Sequence, residues 1–168
     1  MREAASLGYL IARTSDTIAD TDGVPVAERL SLLEDYADSI SRGDPLPAWP
    51  ESILSHADAG ERRLLERAGA VLGWLGRIDD GQATLVREVV ATIIGGQLMD
   101  LRTFGSADAA HPIALPDTSS LDTYTWCVAG CVGAFWTKLG FLTLGSKFSN
   151  VDPERLLGKG IDYGKGLQ

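Results

Sequence analysis

"YLIARTSDTIAD", residues 9–20, decides how the chain is read. Leu10, Ile11 and Ile18, with Leu7 before them, recur at helical spacing, so the stretch belongs to a helix running from about Glu3 to Asp20. Positions i and i+4 of a helix share a face, which turns Asp16 and Asp20 the same way, with Arg13 and Tyr9 one and two turns earlier along a similar stripe. Neighbouring carboxylates repel by about 0.2–0.5 kcal/mol on an exposed helix. A hard cation between them reverses that cost. Mg²⁺ prefers oxygen ligands, keeps several waters, and commonly binds one or two carboxylates plus substrate phosphates. Arg13 would add a charge-assisted hydrogen bond to the same phosphates. Taken alone, two aspartates at this spacing more often mark the solvated acidic end of a surface helix. The flanks "YLIAR" and "TIAD" are apolar on nearly all sides, which predicts burial, and buried acids need partners.

Outward from this helix the pattern stays helical. "DTDGVP" breaks the first helix, and a second runs from about Val26 to Ser41 with Leu30, Leu33, Tyr36, Ala37 and Ile40 on one face. "RGDPLPAWP" reads as a turn-rich connector. A third helix covers roughly Ala59 to Ile78, and "DDGQ" separates it from a fourth, roughly Ala83 to Phe104. "GSADAAHPIALPDTSS" is a loop. A fifth helix begins near Ser120, its expected N-cap, and runs to about Leu142. After "SKFSN", "VDPERLL" opens a sixth with Asp152 as N-cap and Pro153 at the first helical position. No strand alternation, internal repeat or low-complexity tract interrupts this. The fold class is therefore all-α, one helical domain over residues 1–168 packed around a shared interior.

The totals narrow the function classes. The chain has 168 residues, 45% of them hydrophobic, and a formal net charge of -8. A nucleic-acid partner needs a lysine or arginine stripe, and none is visible. If the ligand is nonetheless an anion, a divalent metal is the usual bridge between acid and acid. Cys127 and Cys131 lie four apart on an apolar helix, and His56 and His111 lie in other segments, so the cysteines read as small buried hydrophobes. No signal peptide is evident. The longest apolar runs, such as "VVATIIGG", are too short to span a bilayer.

Two further stretches carry chemistry. In "YTWCVAGCVGAFW", residues 124–136, Tyr124, Cys127, Val128, Cys131 and Phe135 share a stripe, while Gly130 and Gly133 interrupt a helix interior at about 1 kcal/mol each. A tightly packed core helix explains the glycines and cysteines. It explains Tyr124 less well, because a buried phenol wants a hydrogen-bond partner. In "GGQLMDLRTF", residues 95–104, Asp100 ends an otherwise apolar helix with Gln97 one turn before. An isolated acid there is more often a salt-bridge partner, with Arg102 and Arg87 as candidates, than a catalytic group.

Taken together, these stretches resemble the squalene/phytoene synthase family, the head-to-head trans-isoprenyl diphosphate synthases. "YLIARTSDTIAD" is similar to the family's first aspartate-rich motif with its preceding tyrosine and arginine. "YTWCVAGCVG" is similar to its Tyr-Cys-x-x-Val-Ala-Gly-x-Val-Gly motif, with Thr125 and Cys127 as departures, and Ala134 stands where many members carry glutamate. "YGKGLQ" resembles the start of the second aspartate-rich motif. That motif would continue past Gln168, so the sequence reads as an internal piece of a longer protein, incomplete at both ends relative to the family.

The resemblance implies an isoprenoid-synthase-type helical bundle around a central apolar cavity that binds two prenyl diphosphates. It implies that Asp16 and Asp20 hold Mg²⁺ against a diphosphate that Arg13 contacts. Tyr124 would stand near the departing diphosphate or the developing carbocation, and Tyr9 would line the same cavity. Gln168 would be a polar wall residue, Asp100 a further contact, and Val128, Phe135 and Leu98 an apolar sheath for the prenyl tails. The favoured reaction is coupling of two farnesyl diphosphates to squalene through presqualene diphosphate, with NADPH as reductant; phytoene, dehydrosqualene or presqualene diphosphate are the alternative products. No G-x-G-x-x-G follows a strand, so an NADPH site would be built another way. A non-catalytic helical homologue or assembly subunit is the alternative of another class. A head-to-tail prenyltransferase or terpene cyclase shares the metal logic but not the Tyr124 to Gly133 motif. The expected location is cytoplasmic, with peripheral membrane contact for an apolar product.

Overall fold

Ala4, Leu7, Ile11 and Ile18 recur at helical spacing, and in the computed structural model, which describes residues 1–168, they are buried along one face of the first helix, α1 (Arg2–Asp20). The opposite face is open rather than apolar all round: Tyr9 is 68% exposed. A turn through Gly23, at φ 83°, leads into α2 (Val26–Arg42), which stops at Gly43 in the left-handed region. A short helix, α3 (Glu51–His56), follows the proline-rich connector. Six residues are too few to show a helical period, so the sequence pattern does not reveal it. Asp58 and Glu61 form a reciprocal capping box at the start of α4 (Ala59–Gly73). That helix ends earlier than expected, and the rest of the stretch closes as a tighter turn, Leu75–Arg77.

The expected break at "DDGQ" is instead a helix start. Asp79 accepts a hydrogen bond from the Gln82 N–H and caps α5 (Asp80–Phe104). The same correction applies to the next helix. Asp117, not Ser120, is the N-cap of α6 (Thr118–Thr125), its carboxylate accepting the Ser120 N–H at 2.8 Å. Without a break the chain widens into a π-helical segment at Trp126–Gly130 and continues as α7 (Cys131–Leu144). The last helix, α8 (Pro153–Leu167), starts as expected, with Asp152 capping and proline in the first turn. Through Thr118–Lys147 the helical stretch is long and apolar enough to cross a membrane by length and composition alone, a property that the short apolar runs of the sequence did not suggest.

Packing sets the direction of each helix. Met1 bonds Gln82, Gly8 lies against Val86, and Asp16 bonds Gln97, so α1 and α5 run parallel. Tyr36 donates to the Ile11 carbonyl and Arg29 to the Ala19 carbonyl, which makes α2 antiparallel to α1. Lys138 reaches Glu88 while Gly96 touches Cys127, so the α6–α7 stretch is antiparallel to α5. Gly133 and Gly160, then Ala129 and Gly164, place α8 antiparallel to α7. Tyr36, Leu33, Ile53, Leu65, Val86, Val90, Ile94 and Leu139 fill the shared interior. One end of the bundle thus collects the C-termini of α1, α5 and α8 and the N-termini of α2 and α6.

Candidate functional site

At that end the terminus of α1 is electronegative by construction. The carbonyl end of a helix carries partial negative charge, and α1 has no basic residue in its last turn. It instead places Asp16, half-buried, and Asp20, exposed, at that terminus. Arg29 of α2 covers part of it, its Nη1 donating to the Ala19 carbonyl at 2.5 Å, while its Nε is buried without a partner. Burial raises the Asp16 carboxyl above the usual carboxylate range, and the charge of Asp20 adds to this. Arg13 and a hydrogen bond from Gln97 pull the other way. Partial desolvation at the edge of the bundle raises Asp20 as well, although the residue is exposed; Arg13 and Arg29 lower it, and Asp100 and Glu61 raise it.

Glycine brings the other half of the site in. A Cβ on Gly96 would stand 2.8 Å from Cβ of Cys127, closer than side-chain atoms pack. The hydrogen side chain therefore lets α5 touch the π-helical segment backbone to backbone. One turn further along α5 is Asp100; one turn back from Val128 is Tyr124. With the two helices antiparallel, the same contact that joins Gly96 to Cys127 carries Tyr124 toward Asp100. Burial raises the Tyr124 phenol, the charge of Asp100 raises it further, and Asp20 contributes. The phenol accordingly stays protonated at neutral pH and available as a donor. Single π turns inside α-helices often mark functional sites.

The structure thus gathers Asp16, Asp20, Asp100 and Tyr124 at one end, with Val128 half-buried against Gly96 one turn below. Asp100 is not the salt-bridge partner of Arg102, which bonds Glu34 at 2.7 Å. Arg13 is paired with Glu61 of α4 at 3.1 Å. Gln168 is exposed at the end of α8, which Lys165 ties to Asp122 of α6 at 2.6 Å. Tyr9 stands apart. Seven residues before Asp16, about 10 Å along the axis, it lines an open recess of ≈ 840 Å³ with Met1, Ala5, Leu10 and Trp136. Leu98 and Val128 are half-buried, while Phe135 is buried against Gly8 in the core. Cys131 is buried and its thiol is pushed up to about 11, chiefly by burial, which fits an inert small hydrophobe.

Two residues of this end were not assigned a role in the sequence reading. Gln97 donates Nε2–H to Oδ1 of Asp16 at 2.5 Å, and its Oε1 is buried with no hydrogen-bond partner. Its signal was available, as a lone amide in the apolar run "TIIGGQLM". Arg29 gave none, because an arginine in "VAERLSL" looks like any solvated helix residue.

The donor set fits a hydrated divalent cation. No three His, Cys, Asp or Glu side chains converge closely enough to hold an ion alone. Two carboxylates a turn apart, a helix carbonyl end and an unsatisfied amide oxygen suit an ion that keeps its waters and shares its charge with a phosphate, which describes Mg²⁺. Asp16 and Asp20 would hold it.

Comparison with known proteins agrees with the fold. The sequence matches the Squalene/phytoene synthase family over residues 1–168. No curated protein matches it. Among solved structures, the complex of TcSQS with the ligand BPH1237 is similar at a TM-score of 0.71 and 23% identity, over 98% of this chain and 43% of that one. The complex of TcSQS with the ligand E5700 is similar at a TM-score of 0.68 and 22% identity, over 96% of this chain and 42% of that one. The chain therefore spans less than half the length of the structures it resembles.

Proposed function

Because the chain belongs to the squalene/phytoene synthase family, we propose that it provides the diphosphate-ionising half of a head-to-head prenyltransferase. The proposed reaction joins two farnesyl diphosphates to presqualene diphosphate and, with NADPH as reductant, to squalene. One observation carries this reading: the acids of α1 meet Tyr124 and Asp100 at a single end of the bundle.

The chemistry follows from charge. Loss of diphosphate leaves an allylic cation and a polyanionic leaving group. A bound Mg²⁺ would neutralise that leaving group and lower the barrier to C–O cleavage. The part of this chain is to seat and orient. Asp16 and Asp20 supply the oxyanions of the seat. Arg29, whose charge already lowers the Asp20 carboxyl, adds a second guanidinium that favours phosphate at this end. Arg13 does the same once it leaves Glu61. Tyr124, kept neutral, donates O–H to the departing diphosphate, and Asp100 orients the phenol. Half-buried Leu98 and Val128 keep water from the cation, which would otherwise be quenched to an alcohol. The open recess at Tyr9 and Trp136 offers apolar surface to a prenyl tail. The product is apolar, so transient contact of a cytoplasmic protein with a bilayer belongs to the same reading.

The test is product identification. Full-length protein is incubated with farnesyl diphosphate and Mg²⁺, with and without NADPH, and the extract is analysed by mass spectrometry. The expected result is presqualene diphosphate without NADPH and squalene with it. A C30 polyene lacking NADPH dependence assigns dehydrosqualene instead, and turnover of geranylgeranyl diphosphate alone assigns phytoene. No coupled product under any condition rejects the enzymatic reading in favour of a non-catalytic helical homologue.

A further inference from the structure

The cation seat rests on the reading above, and one residue beside it has been given no role in that reaction. Gln97 follows Gly96, which lets the tyrosine helix approach, and lies one turn before Asp100 on α5. Its Nε2 donates to Oδ1 of Asp16 at 2.5 Å. Its Oε1 is buried and has no partner. A buried acceptor without a donor is unfavourable, and native interiors avoid it unless the group has another use. The amide cannot relieve this by turning over, because that would set Oε1 against the Asp16 carboxylate and lose the one bond it makes.

We propose that Gln97 is a positioning residue for the cation. Nε2 fixes the Asp16 carboxylate so that its other oxygen is presented, and Oε1 accepts a hydrogen bond from a water in the cation's shell. The second half of the proposal explains the orphaned oxygen: a hydrated divalent ion brings O–H donors, and this acceptor lies on the same amide as the bond to the ligating acid. The seat is then three-sided, with two carboxylates from α1 and one amide from α5. Cation binding would therefore tie α1 to α5 at the end of the bundle where Tyr124 docks. Removing partners of this outer kind typically lowers metal affinity ten- to a hundredfold.

The test is Mn²⁺ binding to the purified protein, read by electron paramagnetic resonance of the free ion, with thermal unfolding measured alongside. Gln97→Met keeps the length and apolar packing and removes both polar atoms. The expected result is Mn²⁺ affinity lowered at least tenfold, with the metal-free melting temperature unchanged or raised, because the unsatisfied oxygen is gone. A residue that only held the fold together would do the opposite, losing melting temperature and leaving affinity alone; that result overturns the proposal. Asp16→Ala separates it from the broader reading. If Asp16→Ala abolishes binding while Gln97→Met does not weaken it, the Gln97 role is wrong and the carboxylate seat stands. If wild type and Asp16→Ala bind Mn²⁺ equally weakly, the seat fails and Gln97 with it.

Discussion

Asp16 and Asp20 are a liability without a ligand. Both carboxyls are raised, chiefly by partial desolvation, so each binds protons more tightly in the folded chain than in the unfolded one. The folded state then holds more protons than the unfolded state from about the ordinary aspartate value of 3.9 upward, and stability falls as pH rises through the raised values. The pair should therefore weaken the metal-free protein at neutral pH. Two outcomes are expected. Added Mg²⁺ should raise the melting temperature by a few degrees at pH 7, and the gain should vanish near pH 4, where protons compete for the same oxygens. Asp16→Asn should melt slightly higher than wild type at pH 7 without metal and lose the response to Mg²⁺; differential scanning calorimetry across pH reads both. Tyr124→Phe removes only the phenol donor. It should lower kcat about a hundredfold while leaving Mn²⁺ binding intact, and equal loss of both would move Tyr124 into the seat itself. At this scale the spacing in the sequence was informative for Asp16 and Asp20, while Tyr124 was legible as a phenol in need of a partner. Asp100 was legible as an acid out of place but not as the neighbour of Tyr124, because that contact is made between helices far apart in the chain.

Between helices, the approach of α5 to the π-helical segment is the decisive contact. Gly96→Ala would force α5 and Cys127 apart and carry Tyr124 away from Asp100. The expected cost is about 1–3 kcal/mol of stability together with a fall in kcat, measured by chemical denaturation and steady-state kinetics. Gly133→Ala tests the neighbouring contact, since its Cβ would run into the Gly160 carbonyl of α8. It should destabilise to a similar extent and free α8 to proteolysis. An unchanged denaturation midpoint in either variant would mean that the helices are not in backbone contact there. The interior glycines were readable as signs of close packing. Their partners were not, and neither was the π turn, because one extra residue in a helical turn leaves no trace in an apolar pattern. Helix starts at Asp79 and Asp117 were missed for a common reason: each aspartate stands in a polar run where several residues can cap, and hydrogen-bond geometry chooses among them.

For the molecule as a whole, an acidic chain of net charge -8 concentrates carboxylates where the carbonyl ends of α1 and α5 meet. That convergence depends on the two helices running parallel, which needs the intervening chain to return across the bundle, and no local pattern dictates it. The all-α class and the order of the long helices were legible; their directions, and so the site, were settled by packing of Gly8 on Val86 and Gly96 on Cys127. The central claim is that this end seats a divalent cation which draws diphosphate off a prenyl chain. Release of inorganic diphosphate from farnesyl diphosphate by the full-length protein tests it most directly. The account predicts release that requires Mg²⁺, is removed by chelation, and is lost in Asp16→Ala and Asp20→Ala while circular dichroism keeps its helical signal. Release that persists in either variant, or that is indifferent to the metal, would contradict it.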